Sequence, residues 1–205
     1  MISWTVVGHT ARAIHAASLA RNLKAQLVMD DGTLGADANH LRAWAIEPHP
    51  NANWVGVLED DAQPVAGFAE QVDVALAAAP TDIVSLYLGT GRPLRWQERM
   101  AHATDQSDED GAHWITSTHL LHAVAAAIRS ELRDDWLSFA HRNTQPIDER
   151  MSAWCRARGH LVSYTSPSLV DHRDGPTLVS HRDDTPRRAW RTGTHETWNS
   201  KAVSL

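Results

Sequence analysis

Cysteine is all but missing from this chain. Cys155 stands alone in 205 residues, so no internal disulfide can form and a cytoplasmic setting is expected. Lysine is nearly as scarce, with only Lys24 and Lys201. The rest of the basic charge is arginine, which together with abundant alanine suggests a GC-rich coding genome. No apolar run approaches the roughly 18 residues needed to cross a bilayer. Met1-Ile2-Ser3-Trp4 has no basic segment leading into an apolar one, so neither a span nor a signal peptide is expected. Positive charge is in deficit: 19 Lys and Arg face 25 Asp and Glu, a formal net charge of −6 that offers nucleic acid no bulk attraction. No internal repeat is found.

What is present fits one globular domain, with or without an appendage: 42% hydrophobic and 21% charged residues in a length that can bury a sizeable core. Ser3 to Val7 reads as a short buried strand ending at Gly8. Ala16, Leu19, Ala20 and Leu23 then fall on one stripe of a helix. Gln26 to Met29 is a second strand, ending in Asp30-Asp31-Gly32. A helix with Asp37 as N-cap carries Leu41, Trp44 and Ala45. Asn53 to Leu58 is a third strand, and Pro64 opens a helix whose Val65, Phe68, Val72 and Leu76 share a face. Asp82 to Leu88 reads as a strand, Gly89 to Gly111 as a long mobile loop and His113 to Thr116 as a short strand. His119 to Leu132 reads as a helix with Leu121, Val124 and Ile128 inward. A helix from Pro146 carries Ile147, Met151, Trp154 and Cys155, with Cys155 as core; Leu161 to Tyr164 and Pro167 to Val170 are extended. This alternation predicts an α/β domain with a central, mostly parallel sheet flanked by helices. Ligands of such sheets bind beyond the carboxyl ends of the strands.

Three of those ends are polar: Gly8-His9-Thr10, Asp30-Asp31-Gly32 and Glu59-Asp60-Asp61. The last is the strongest local signal. An apolar strand, Trp54 to Leu58, delivers three carboxylates to one turn, and crowding them is costly unless a cation neutralises them. Hard oxygen ligands suit Mg²⁺ or Mn²⁺, ions that commonly bridge carboxylates and a diphosphate. The plain alternative is an acidic turn before a helix.

Asp-x-Asp-like turns at the end of a central strand mark GT-A glycosyltransferases. Val57-Leu58-Glu59-Asp60-Asp61-Ala62, followed by Phe68, resembles the corresponding segment of family-25-type lipooligosaccharide glycosyltransferases. Asn39 to Trp44 resembles the helix before it, Asp82 to Gly89 the next strand and turn, Pro146-Ile147-Asp148 a "P-x-D" motif, and Pro167 to His172 the closing segment. The resemblance runs from Val6 to His172. The first loop departs from the family's arginine pattern, with only Arg12 available, and the stretch from Gly91 to Ala112 has no counterpart. Compact size and composition also suit transferases encoded by actinobacterial phages.

The resemblance implies a single GT-A-like (Rossmann-like) catalytic domain over residues 1–172. It implies Mn²⁺ or Mg²⁺ held by Glu59, Asp61 and His172. A nucleoside-diphosphate sugar would lie near Val7, Gly8, Arg12, Asp30, Asp31 and Asp60, and Asp148 would be the general base for an acceptor hydroxyl on a glycan or protein. Each has a plainer reading. Asp31 before Gly32 makes an ordinary turn, Asp148 at a helix start is favoured by the dipole, and His172 is one of 13 histidines. Residues 173–205 are few in aliphatics and are expected to cover the acceptor side or stay partly disordered, adding little to the core. Trp96, Trp190 and Trp198, in polar surroundings, are candidates for stacking on sugars. Two rivals remain: a metal-dependent phosphohydrolase, disfavoured because the first strand ends without a carboxylate, and a non-catalytic glycan-binding module.

Overall fold

The computed structural model describes residues 1–173 and 186–205. Ten strands run in chain order: β1 (Ile2–His9), β2 (Gln26–Asp30), β3 (Trp54–Glu59), β4 (Ala62–Pro64), β5 (Ile83–Ser85), β6 (Trp114–Ser117), β7 (Ala125–Arg129), β8 (Val162–Thr165), β9 (Val170–His172) and β10 (Ala202–Ser204). Six α-helices lie between them: α1 (Ala13–Leu23), α2 (Ala36–Ala45), α3 (Phe68–Ala78), α4 (Gln97–Asp110), α5 (Arg133–Ala140) and α6 (Ile147–Arg158). Eight strands form one mixed sheet in the order β10-β6-β8-β5-β7-β3-β1-β2, while β4 and β9 form a separate ribbon. The β1–β2, β1–β3, β5–β8 and β6–β10 pairs are parallel; β7 runs antiparallel to both β3 and β5, and β6 to β8. The chain is a Rossmann-like α/β domain. Among the described residues no helix is long and apolar enough to cross a membrane.

Alternation along the strands sends side chains to two cores. In β3, Val55 and Val57 join the core under α2, α4, α5 and α6, whereas Trp54 and Leu58 join the one under α1 and α3. The first core is strung on buried tryptophans: Trp44 meets Trp136 edge-on at 6.2 Å, and Trp136 meets Trp154 at 5.5 Å, tying α2 to α5 and α6. Across β1 and β3, Trp4 faces Gly56, and a Cβ at Gly56 would sit 2.0 Å from the Trp4 ring. That glycine makes room for the indole.

Several expectations are corrected. Gly35 rather than Asp37 precedes α2, and Ala45 is exposed; the buried face is Asn39, His40, Ala43 and Trp44. Pro64 closes a strand, and its helix starts only at Phe68. The stretch read as a loop contains α4, whose buried positions Met100, Ala103, Thr104 and Ser107 keep helical spacing with small and polar residues. The segment read as a helix from His119 holds β7, and α5 follows it.

The C-terminal segment is also more than a cover. Ala202–Ser204 pairs with Trp114–Thr116, extending the sheet by a strand. Trp198 and Val203, 8% and 7% exposed, belong to the core, and Trp198 Nε1 donates to Gln71 Oε1 at 2.9 Å. Residues 174–185 lie outside the described residues. Because Trp198 fills space between α3 and β6, Trp198→Ala should destabilise the fold by about 3 kcal/mol. Urea unfolding checks this; a change below about 0.5 kcal/mol would return the segment to the surface.

Candidate active site

The parallel register of β1, β2 and β3 brings three strand ends to one edge of the sheet. His9 sits beside Asp30, and Val7 beside Glu59. Between them opens a crevice of about 280 Å³ lined by Val7, Gly8, Arg12, Asp30, Glu59, Asp60 and Asp61 together with His9, Asn39, His40 and Arg187. Most of the predicted donor-side residues therefore share one wall.

The acidic turn is held by groups from both ends of the chain. From the first loop, Arg12 Nη1 donates to Asp60 Oδ1 at 3.0 Å and to Asp61 Oδ2 at 2.5 Å, and the His9 N–H donates to Asp60 Oδ2 at 2.8 Å. From the other end, pairing of β4 with β9 sets Ala62 opposite His172, whose Nε2 lies 3.3 Å from Asp61 Oδ2. Burial opposes ionisation of Asp61, but His172 and Arg12 outweigh it and keep the carboxyl below its ordinary range. At Asp60 burial wins: its carboxyl is pushed up, against the His9 N–H and Arg12.

Glu59 goes elsewhere. Its Oε1 meets His40 Nε2 at 3.0 Å, and among the described residues no three His, Cys, Asp or Glu side chains gather as a ligand set. The structure pairs Asp61 with His172 but does not bring Glu59 to them. Glu59 ends the strand, whereas Asp61 lies in the turn between β3 and β4.

That pair nevertheless fits a cation. Among the described residues, Asp61 Oδ1 and His172 Nδ1 are buried without a hydrogen-bond partner, and His172 Nε2 has only its long 3.3 Å approach to Asp61 Oδ2. Buried polar atoms left unsatisfied in this way are rare in finished folds. A carboxylate oxygen beside an imidazole nitrogen is a donor set that Mn²⁺ accepts readily and Mg²⁺ less so.

Asp30 and Asp31 have local duties. Asp30 accepts from the N–H groups of Leu34 (3.1 Å) and Gly35 (3.0 Å), shaping the loop that leads into α2; burial opposes ionisation, yet these donors lower its pKa. Asp31 is exposed, accepts from the Thr33 N–H at 3.1 Å, and sits in a side depression rather than in the crevice. Its turn-forming reading is what the geometry displays.

Asp148 stands in the first turn of α6, half-buried, on a second cavity of about 440 Å³ that it shares with Trp96, His119 and Leu121. Asp37 Oδ1 accepts the Ile147 N–H at 2.9 Å, so the start of α2, which lines the crevice, is tied to the start of α6, which lines the cavity. Burial pushes the Asp148 carboxyl up to about 6, against the Glu149 N–H, and the charge of Glu59 adds to the rise. Sequence reasoning singled out Trp96 and Asp148 but missed His40 and Arg187 in the crevice and Arg95, His119 and Arg156 in this cavity: Arg95 falls in a stretch that reads as a loop, and His40 lies inside a helix.

Stability should record that shift. A carboxyl whose folded pKa is raised favours the fold fully below its unfolded pKa, near 4, and that contribution is lost as pH rises through about 6. Asp148→Asn should abolish this decline and leave the protein about 1–2 kcal/mol more stable than wild type at neutral pH. Urea unfolding of both proteins at about pH 4 and pH 7 reads the difference; parallel pH profiles would show an ordinary, solvated carboxylate.

No family model and no curated relative matches this chain. Solved structures do. It resembles A197 from STIV at a TM-score of 0.50 and 11% identity, over 89% of this chain and 100% of that one. It also resembles a glycosyltransferase involved in the glycosylation of the major capsid of PBCV-1, at a TM-score of 0.47 and 12% identity, over 80% of this chain and 83% of that one. At such identities the first likeness concerns the fold alone.

Proposed function

We propose that this protein transfers a glycosyl group from a nucleoside-diphosphate sugar to an acceptor hydroxyl, with a divalent cation held by Asp61 and His172. The resemblance to family-25-type transferases belongs to this reading. The observation that carries it is the buried, unsatisfied Asp61–His172 pair at the strand ends, beside a crevice that also holds arginine. Asp61 and His172 would hold the cation, which would supply positive charge to the leaving diphosphate. Arg12 and Arg187 line the same crevice and supply further positive charge to phosphate oxygens. Val7 and Gly8 offer backbone wall at the end of β1, and Asp30 fixes the loop over which the nucleotide lies.

Asp148 occupies the other cavity. It is in the first turn of α6, close enough for Glu59 to influence its ionisation, and its carboxylate accepts from the Glu149 N–H rather than reaching the acidic turn. A carboxyl at about 6 is ionised at neutral pH and basic enough to take the proton of an acceptor hydroxyl as the glycosidic bond forms.

Two experiments test the two halves. Calorimetric titration of UDP, GDP, ADP and CDP should find one that binds only with Mn²⁺. Asp61→Asn should weaken it at least about tenfold, or 1.4 kcal/mol; unchanged metal-dependent affinity would remove Asp61 from the site. Asp148→Asn should lower single-turnover transfer by about 10²–10⁴-fold while donor affinity stays the same. Near-normal transfer would leave Asp148 as a helix residue only.

A further inference from the structure

The cavity around Asp148 is lined by groups of both signs. Asp148 and Glu149 share it with Arg95, Arg156, His119 and Trp96. Neither Arg95 nor Arg156 has an ion-pair partner among the described residues, whereas Arg12, Arg129, Arg133, Arg158 and Arg191 each do. His119 reports the local field: burial lowers its pKa first, and then the charges of Arg156, Arg95 and Arg99 lower it further. Arg95 and Arg156, from two separate segments, line the same cavity as that imidazole.

Trp96 adds a donor. Its π-system is already engaged, with the Arg99 guanidinium 4.6 Å above the ring and His119 packed 5.0 Å away. Its Nε1–H, by contrast, is buried and has no acceptor among the described residues. A buried indole N–H normally finds one. The wall that carries His119 is rigid. Leu120 N donates to Ser152 Oγ at 2.9 Å, Leu121 N to Tyr164 Oη at 2.8 Å, and Tyr164 Oη to the His119 carbonyl at 2.6 Å. This chain of buried bonds ties the segment that carries His119 to α6 and β8.

We propose that this cavity binds an acceptor sugar bearing an anionic group, a carboxylate or a phosphate, held by Arg95, Arg156 and the Trp96 N–H, so that a hydroxyl of the same molecule lies at Asp148. The word acceptor rests on the transferase reading; the anion site itself does not, because it is measured without donor. Guanidinium groups recognise planar carboxylates and phosphates in bidentate fashion, and an indole N–H completes the set. A neutral sugar would leave the Trp96 N–H and both arginines without a matching charge.

Nuclear magnetic resonance titration reads the site directly. The Trp96 indole proton, assigned by its loss in Trp96→Phe, is followed in the full chain during addition of methyl glucuronide, glucose 6-phosphate and methyl glucoside. At least one anionic sugar should shift that resonance saturably, with an affinity about tenfold or more above that of the glucoside. Arg95→Gln with Arg156→Gln should erase the preference while the other indole signals stay in place, showing that the fold is intact. Glucuronide ahead of the phosphate identifies a carboxylate-bearing acceptor, and the reverse order a phosphorylated one. Equal response to the neutral sugar, no response to either anion, or a preference that survives the double variant would overturn the proposal. Failure of nucleotide binding at Asp61 with this titration intact would instead sink the transferase reading and leave an anionic-sugar site.

Discussion

The neutralisation of Asp60 and Asp61 organises this molecule. Two buried carboxylates on adjacent residues repel one another and lose hydration, so a turn of this kind forms only where positive charge and hydrogen-bond donors are brought to it. The fold brings them from opposite directions: Arg12 and the His9 N–H from the end of β1 and the loop after it, and His172 from β9. The small β4–β9 ribbon, outside the main sheet, places Ala62 opposite His172. Satisfaction is incomplete, since among the described residues Asp61 Oδ1 and His172 Nδ1 have no hydrogen-bond partner. The crevice is a structural necessity with one valence left open.

The second cavity shows the complementary arrangement. Asp148 is poorly hydrated and raised to about 6, while Arg95 and Arg156 in the same cavity have no ion-pair partner among the described residues. Hydrogen bonds tie the Leu120, Leu121 and His119 wall of this cavity to α6 and β8. Asp37, capping the first N–H of α6, joins this arrangement to the crevice, so the two sites share a wall without sharing a residue.

Much of this is legible in the amino acids. The strands β1, β2 and β3 are apolar runs ending in polar sets, and α1 and α6 carry clean apolar stripes, so the sheet edge that carries the crevice can be located from the pattern alone. Glu59-Asp60-Asp61 is visible because three carboxylates directly after an apolar strand are too costly to bury without a compensating charge. Other parts are hidden for physical reasons. The inward face of α4 uses Ala103, Thr104 and Ser107, too small and polar to register as a stripe. In β7, Ala125, Ala126 and Ala127 lie at the centre of the sheet opposite Leu58, Val57 and Gly56. Alanine favours helix, but a strand flanked by large side chains needs small ones, and tertiary context prevails. The partner of Glu59 is unreadable because His40 comes from a helix whose register alone decides where its imidazole points.

The β4–β9 ribbon also sets the order in which the molecule can become complete. Asp61 and Arg12 are made early and can meet through pairing of nearby strands, whereas His172 arrives far downstream, after β5, β7 and β8. Contacts between distant parts of a chain form late, because the loop between them must first be closed. The Asp61–His172 pair is therefore a mark of a finished fold, absent from a partly folded chain that already has β1, β2 and β3. A divalent ion held by that pair would bind the finished molecule alone and pull the folding equilibrium toward it. In such a protein, the ion would act as an inspector of folding, adding its binding energy only to chains in which the last strands have found their place.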